Sequence, residues 1–284
     1  MLDFPMPNDI AAIATAFHKL HDEEGTFVIP NPWDRGSARM LKSLGFKALA
    51  TTSAGFDFAE GRKEGTATLD DVLAHCRLIA EATDLPVNAD TESGYAETPE
   101  GVAENIHRLA ATGIAGCSIE DVNVYGPGVY GGAPIYDLPV AAERVAAAAE
   151  AVRNLGRPFV LTGRAENYLH GRPDLADTIK RLQAYQDAGA DVLYAPGPRT
   201  AEDIRVIVTS VDRPVNVIAG LPGMNLSVTD LAELGVKRIS VGSNLFRTAF
   251  AAALRGAQEI AEEGTFSYAG SAATFKEISG LFDD

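Results

Sequence analysis

Short apolar runs begin near residues 27, 47, 86, 114, 158, 191, 214 and 237, and amphipathic stretches fill the gaps between them. A short uninterrupted apolar run bounded by turn residues reads as a strand buried on both faces, the habit of parallel sheets. Four runs are entered through the same phrase, a Gly and one apolar residue: Leu44-Gly45-Phe46, Thr112-Gly113-Ile114, Ala188-Gly189-Ala190 and Leu234-Gly235-Val236. Gly just past a helix end takes positive φ without a Cβ clash. Three more are entered through Pro86, Pro158 and Pro214, where a missing N–H does no harm at the first strand position.

The gaps carry helical signals. Leu69, Val72, Leu73, Cys76 and Ile79 share one face at helical spacing over 69–83. Thr98-Pro99-Glu100 is an N-cap followed by Pro at the first helical position. Thr200-Ala201-Glu202-Asp203 resembles a capping box with Asp in the Glu place. Asp174 is placed to cap a helix that carries Leu175, Ile179 and Leu182 and ends at Gly189. Eight strands alternating with helices predict an α/β fold, a (β/α)8 TIM barrel. The expectation is one domain over 1–284, with the barrel at about 25–265, an extra helix at 8–22 and a C-terminal tail at 266–284. An open doubly wound sheet is the competing fold. It favours a Gly-rich phosphate turn after its first strand, and NPWDRGS at that place has no G-x-G-x-x-G.

Composition narrows the function. The chain has 284 residues, 46% hydrophobic and 22% charged, with 24 Lys+Arg against 39 Asp+Glu and a net charge of -15. Such an acidic surface gives no footprint for nucleic acid or anionic lipid, and no apolar run is long enough for a membrane span. The N-terminal MLDFPMPNDI does not read as a secretion signal. Cys76 and Cys117 are too few and too scattered for a disulfide scaffold or a cysteine zinc site. A cytoplasmic small-molecule enzyme is the class that fits.

In this barrel, chemistry sits at the C-terminal ends of the strands. Those ends read Asn31-Pro32-Trp33-Asp34, Thr51 to Gly55, Asn88 to Glu92, Glu120-Asp121, Arg164 to Asn167, Pro196-Gly197, Asn216 to Gly220 and Gly242-Ser243. Asp90, Glu92, Glu120 and Glu166 would converge on one mouth, and like charges so close raise each other's pKa. A hard divalent cation relieves that crowding, and one or two carboxylates plus waters are the usual Mg2+ arrangement. The ordinary alternative for each acid is a cap or a salt-bridged rim residue. Arg164 is a candidate clamp for a substrate carboxylate, its alternative being a structural partner for Glu166 or Glu120. Ser53-Ala54-Gly55 is a small-residue turn whose N–H groups suit an oxyanion. The Gly- and Tyr-rich segment 121–137 is a candidate lid. His18, His21, His75 and His107 read as helix residues without a role, and Cys76 and Cys117 as buried structural thiols. His170, in the loop after the fifth strand, is open to either a turn or a substrate contact.

The ordered motifs PNPWD, TTSAG, NADTESGY, GCSIED, TGRAEN and LAELGVKRISVG resemble those of the isocitrate lyase / phosphoenolpyruvate mutase superfamily, across about residues 10 to 265. The resemblance implies Mg2+, with Mn2+ as a substitute, and α-oxo or enol carboxylate substrates. It also implies a homotetramer, a dimer of dimers in which a late helix swaps between subunits; the tail around Phe275 to Phe282 fits that helix. It places the oxyanion turn on Ser53, Ala54 and Gly55, metal ligands on Asp90 and Glu120, the carboxylate-binding arginine on Arg164, and the gating loop on 121–136. It further points to Glu64 as a supporting acid, and to Trp33, Glu166 and Asn216 at the substrate.

The chain departs from the pattern at Asn88, where the family has its first metal aspartate; an Asn carbonyl still offers one oxygen, and Glu92 is near. Its lid has no Cys, Lys or His, unlike the lyase branch, and only Asn123 answers the polar lid of the mutase branch. The expectation is therefore a Mg2+-dependent lyase or decarboxylase for a small α-oxo or 2-hydroxy (di)carboxylate, passing through an enolate. Arg164, Glu64 and Ser53 are the catalytic candidates, with a metal-bound water, Tyr125, Tyr130 or His170 as the acid. A P–C bond enzyme, either a phosphonomutase or a phosphonopyruvate hydrolase, is the second reading. A ligand-binding barrel without chemistry is the third.

Overall fold

The computed structural model describes residues 10–125 and 135–282. Its strands are β1 (Phe27–Ile29), β2 (Leu49–Ala50), β3 (Val87–Asp90), β4 (Gly116–Glu120), β5 (Val160–Arg164), β6 (Val192–Tyr194), β7 (Val215–Ile218) and β8 (Arg238–Ser240). All pair in parallel, in the order β1-β8-β7-β6-β5-β4-β3-β2. The remaining gap is closed where the Ala50 N–H donates to the Pro30 carbonyl at 3.0 Å. The result is the expected (β/α)8 barrel, and each observed strand begins within two residues of its predicted start.

The helices are α1 (Ile10–Asp22), α2 (Arg35–Ser43), α3 (Ser53–Ala59), α4 (Leu69–Ala82), α5 (Pro99–Ala110), α6 (Leu138–Arg153), α7 (Leu175–Asp187), α8 (Ala201–Thr209), α9 (Val228–Glu233), α10 (Asn244–Glu263) and α11 (Phe275–Gly280). Thr98, Asp174 and Thr200 cap α5, α7 and α8 as their spacing predicts. Thr200 accepts the Asp203 N–H at 3.0 Å. Gly45, Gly113, Gly189 and Gly235 all lie at φ between 81° and 105°, the left-handed turn that lets each chain leave a helix and enter a strand. The three prolines lie just ahead of their strands as expected, and Pro86 and Pro214 still accept from Leu49 and Leu193 through their carbonyls, at 2.9 Å each. One local reading is corrected. The small-residue stretch after β2 is the first turn of α3, not a plain turn, because Thr52 caps it through the Gly55 N–H at 3.2 Å.

Two apolar layers hold the site in place. The larger lies between the sheet and its helices and includes Leu49, Cys76, Ile79, Ile106, Leu161 and Leu182. A smaller one closes the N-terminal end of the barrel, where Phe17 of α1 packs with Ile29, Ala48, Ala115, Val160 and Val192. Both cysteines are free and buried, and burial pushes the Cys117 thiol well up and the Cys76 thiol to about 12, which suits packing rather than nucleophilic work. Among the described residues, no helix is long and apolar enough to cross a membrane.

Candidate active site

A cavity of about 180 Å3 opens at the C-terminal ends of the strands. Ser53, Ala54, Glu64, Asn88, Asp90, Arg164 and Asn216, all singled out in the sequence, line it. Strand alternation explains this: Asn88 and Asp90 are two apart in β3, so both enter the barrel while Ala89 faces the helices.

The carboxylates gather on Arg164. Its Nη1 lies 3.4 Å from Asp90 Oδ1 and 3.3 Å from Glu120 Oε2, and its Nε donates to Glu166 Oε1. The Tyr194 ring stacks on the guanidinium, 5.1 Å from its centroid. Burial disfavours the Arg164 charge, but Glu166 and Glu120 outweigh it and push the group above its ordinary value. Burial raises Glu120 well above the carboxylate range, with Glu166 and Asp90 adding to it and Arg164 opposing. Burial likewise raises Glu166, and burial followed by Asp90 raises Glu64. One cation shared by three acids leaves surplus negative charge in a dry setting, an arrangement that favours a further cation or a proton.

Asp90 is oriented from the β2 side. Its Oδ2 accepts the Ser53 N–H at 3.1 Å and the Ser53 hydroxyl at 2.9 Å, and its own N–H donates to Thr51 Oγ1 at 2.8 Å. The expected trio of oxyanion donors is therefore partly spent. Ser53 N–H serves Asp90 and Gly55 N–H serves Thr52, leaving the N–H of Ala54, a residue of the cavity lining in the first turn of α3, where no carbonyl of the preceding helical turn can take it.

Four candidates stand outside the cavity lining: Trp33, Gly55, Glu166 and Glu120. Trp33 packs edge-on against Phe246, with centroids 5.5 Å apart, and its carbonyl binds His75. Gly55 is buried in the first turn of α3, its N–H donating to Thr52 Oγ1 at 3.2 Å. Glu166 is buried under Arg164, and its N–H donates to Asp121 Oδ1 at 2.8 Å. Asp121 in turn binds Arg181 at 3.0 Å and the Tyr185 hydroxyl at 2.5 Å. Glu120 reaches the site through Arg164 rather than by lining the cavity. His170 sits 3.8 Å from Glu166, and burial lowers its pKa.

The base of the candidate lid is pinned by a Val122–Ile135 bridge and by the Tyr136 N–H donating to the Asp121 carbonyl at 2.8 Å. Its residues 126–134, Tyr130 among them, lie outside the described residues.

As to a metal, the donors are hard oxygens. Asn88 Oδ1 and Glu92 Oε1 are buried without a hydrogen-bond partner, and burial, then Asp90, pushes Glu92 up to about 7. Among the described residues no three acid, histidine or cysteine side chains form a ready-made chelate. The donors that are present are all oxygens, the type that a hard divalent cation takes.

Sequence reasoning missed Ser118, Tyr194, Arg238 and Ser240, which also line the cavity. Their signal was present as polar or bulky residues inside otherwise apolar strands.

Comparison with known proteins agrees with this architecture. The family model "Phosphoenolpyruvate phosphomutase" matches residues 17–261. A solved Burkholderia cenocepacia protein, provisionally described as a lyase/mutase, is 49% identical with a TM-score of 0.92, covering 96% of this chain and 97% of that one. An uncharacterised Mycobacterium tuberculosis protein is 30% identical, covering 87% of this chain and 89% of its own. The oxaloacetate decarboxylase of Paraburkholderia xenovorans is 28% identical, over 87% and 81% respectively. The chain thus belongs to the phosphoenolpyruvate phosphomutase family, within a superfamily of lyases and mutases that act on small carboxylates.

Proposed function

We propose that this protein is a cytoplasmic Mg2+-dependent lyase or decarboxylase, with Mn2+ able to substitute, that breaks a carbon–carbon bond in a small α-oxo or 2-hydroxy (di)carboxylate. The observation that carries the reading is the meeting of Asp90, Glu120 and Arg164 at the mouth of a cavity of about 180 Å3. That space suits a small organic acid rather than a larger ligand.

Asp90, Glu120 and the Asn88 amide oxygen would hold the cation. When bound, it supplies Lewis acidity toward a carboxylate and its neighbouring oxygen. The chain's own groups do the rest. Arg164 Nη2 is free of the three acid contacts and binds one substrate carboxylate, while Glu166 fixes the guanidinium's tilt. In an α-oxo acid the electron pair of the breaking carbon–carbon bond moves toward the α-carbonyl as the carboxyl group leaves as CO2. In a 2-hydroxy acid the hydroxyl gives its proton to a base, its oxygen becomes a carbonyl, and the pair moves into the carboxylate of the departing fragment, so enolate charge develops in either case. The Ala54 N–H is the donor left for that charge, while Ser53, whose N–H and hydroxyl both go to Asp90 Oδ2, holds that carboxylate in place. Glu64 and the Asn216 amide complete the wall. Trp33 and Gly55 serve this site by packing the β1 and β2 ends rather than by touching substrate. His170 and Tyr125 are the described candidates for returning a proton to the enolate carbon, and closure of 121–136 would exclude water.

The family match itself supports a second reading, a P–C bond enzyme. One assay separates the two: oxaloacetate, 2-methylisocitrate and phosphonopyruvate are each offered with Mg2+, and both pyruvate release and phosphoenolpyruvate formation are followed. Turnover of a carbon–carbon substrate, reduced about a hundredfold or more in Asp90→Ala and Arg164→Met, is the expected result. Turnover of phosphonopyruvate alone, or full activity in both variants, sinks the lyase reading. Absence of Mg2+ and oxalate binding by calorimetry would leave a ligand-binding barrel.

We further propose a homotetramer in which α11 packs on a neighbouring copy. The apolar residues Phe250, Leu254, Phe266 and Phe275 of α10 and the tail are exposed, Phe275 at 95%, more open apolar surface than an isolated barrel would be expected to keep.

A further inference from the structure

Among the described residues, no acid meets the positive charge at the inner end of the cavity. Arg238 opens β8, beside Asn216 of β7 and Phe27 of β1, so it enters the barrel from the end opposite to Asp90, Glu120 and Arg164. It is 3% exposed and lines the same cavity as Ser118, Asn216 and Ser240. Each of its partners is neutral. Its Nε donates to Asn216 Oδ1 at 2.9 Å and its Nη2 to Thr162 Oγ1 at 2.9 Å, and its Nη1 lies 3.4 Å from His21 Nε2.

His21 is held in the neutral form that makes this contact possible. Its Nδ1–H donates to the Phe17 carbonyl at 2.9 Å, which leaves the Nε2 lone pair for Arg238. Burial and the Arg238 charge push the imidazole down to about 3. Burial lowers Arg238 itself to about 9, with Tyr194 the one group favouring its charge, so it remains a cation at neutral pH. A guanidinium carries five N–H groups; the contacts above account for three. Arg164 is the reverse case, one cation among three carboxylates.

We propose that Arg238 is the anion-binding charge of the inner cavity, and that the protein selects ligands carrying two anionic groups. One group sits at the mouth by Arg164, and the second sits inside against Arg238 and Asn216. That the groups are carboxylates of a substrate rests on the function proposed above; the unmatched charge does not. A buried cation without an acid is costly to keep, and an anion supplied by the ligand balances it. The cavity joins both ends, from Ser53, Asp90 and Arg164 to Ile29 and Arg238.

Two measurements test this. Crystals of the wild-type protein soaked in bromide should show an anomalous peak within hydrogen-bond reach of Arg238; bromide bound elsewhere but not there overturns the proposal. With Mg2+ present, calorimetry should show malate binding at least about tenfold more tightly than lactate. Arg238→Met should lose that preference and Arg238→Lys should keep part of it. A preference unchanged in Arg238→Met also overturns the proposal. If neither acid binds the wild type while bromide occupies the inner end, the anion site stands and the proposed reaction falls.

Discussion

Acid should weaken the fold through His21, and the amount follows from where the ring is held. His21 accepts from Arg238 on one nitrogen and donates to Phe17 on the other. Protonation would set a new N–H against a guanidinium in a buried site. The folded pKa is therefore pushed to about 3, against 6.5 for the ordinary ring. Between those values the unfolded chain binds the extra proton and the folded chain does not, so stability rises with pH across that window. It is complete above about pH 6.5 and is lost as pH falls toward 3.

At pH 4.5 the unfolded ring is about two pH units below its own pKa, which costs the native state roughly 2.7 kcal/mol relative to neutral pH. The assay is urea unfolding of the wild type and His21→Asn at pH 7.5 and pH 4.5. The wild type should lose about 2.7 kcal/mol more than the variant between the two conditions. The comparison cancels His75, lowered to about 4 by burial and acting in the same direction. It also cancels Glu92, Glu120 and Glu166, whose raised values make stability grow as pH falls. Equal losses in the two proteins would refute the neutral, Arg238-bound imidazole.

Further outcomes follow from packing. Phe17, 0% exposed, closes the barrel's end, so Phe17→Ala should cost about 3–5 kcal/mol in denaturant unfolding. A Cβ on Gly116 would lie 2.5 Å from the Val160 carbonyl oxygen and 3.1 Å from Phe17 Cε1. Gly116→Ala should therefore destabilise by roughly 1–3 kcal/mol, read as a lowered midpoint in the same experiment. Removing residues 266–284 should reduce the assembly's mass by light scattering, and an unchanged mass would exclude the tail from the interface.

Much of the architecture could be read locally. Gly45, Gly113, Gly189 and Gly235 announce four strands because their backbone conformation is local and forbids a Cβ. Asp90, Glu120 and Arg164 could be placed because each ends an apolar run, and a parallel barrel presents all such ends on one face. Trp33 shows where this stops. Its position after β1 is a site position, yet its ring turns away to Phe246 of α10, a helix more than 200 residues later. The first turn of α3 was equally obscure, since a Thr52 cap and a plain turn read alike in sequence.

Periodicity along this chain reports whether a side chain is buried, and with the glycine, proline and cap signals it yields the eight alternating strands and, through the barrel they form, the face that bears the chemistry. It says nothing of what a buried side chain meets across the barrel. Arg164 acquired three acids and Arg238 none only when eight strands closed. His21, read as an unremarkable helix residue, became the partner of Arg238 because α1 folds under the barrel's end. Those pairings join residues up to 217 positions apart, and the low dielectric that gives them their force exists only inside the closed barrel.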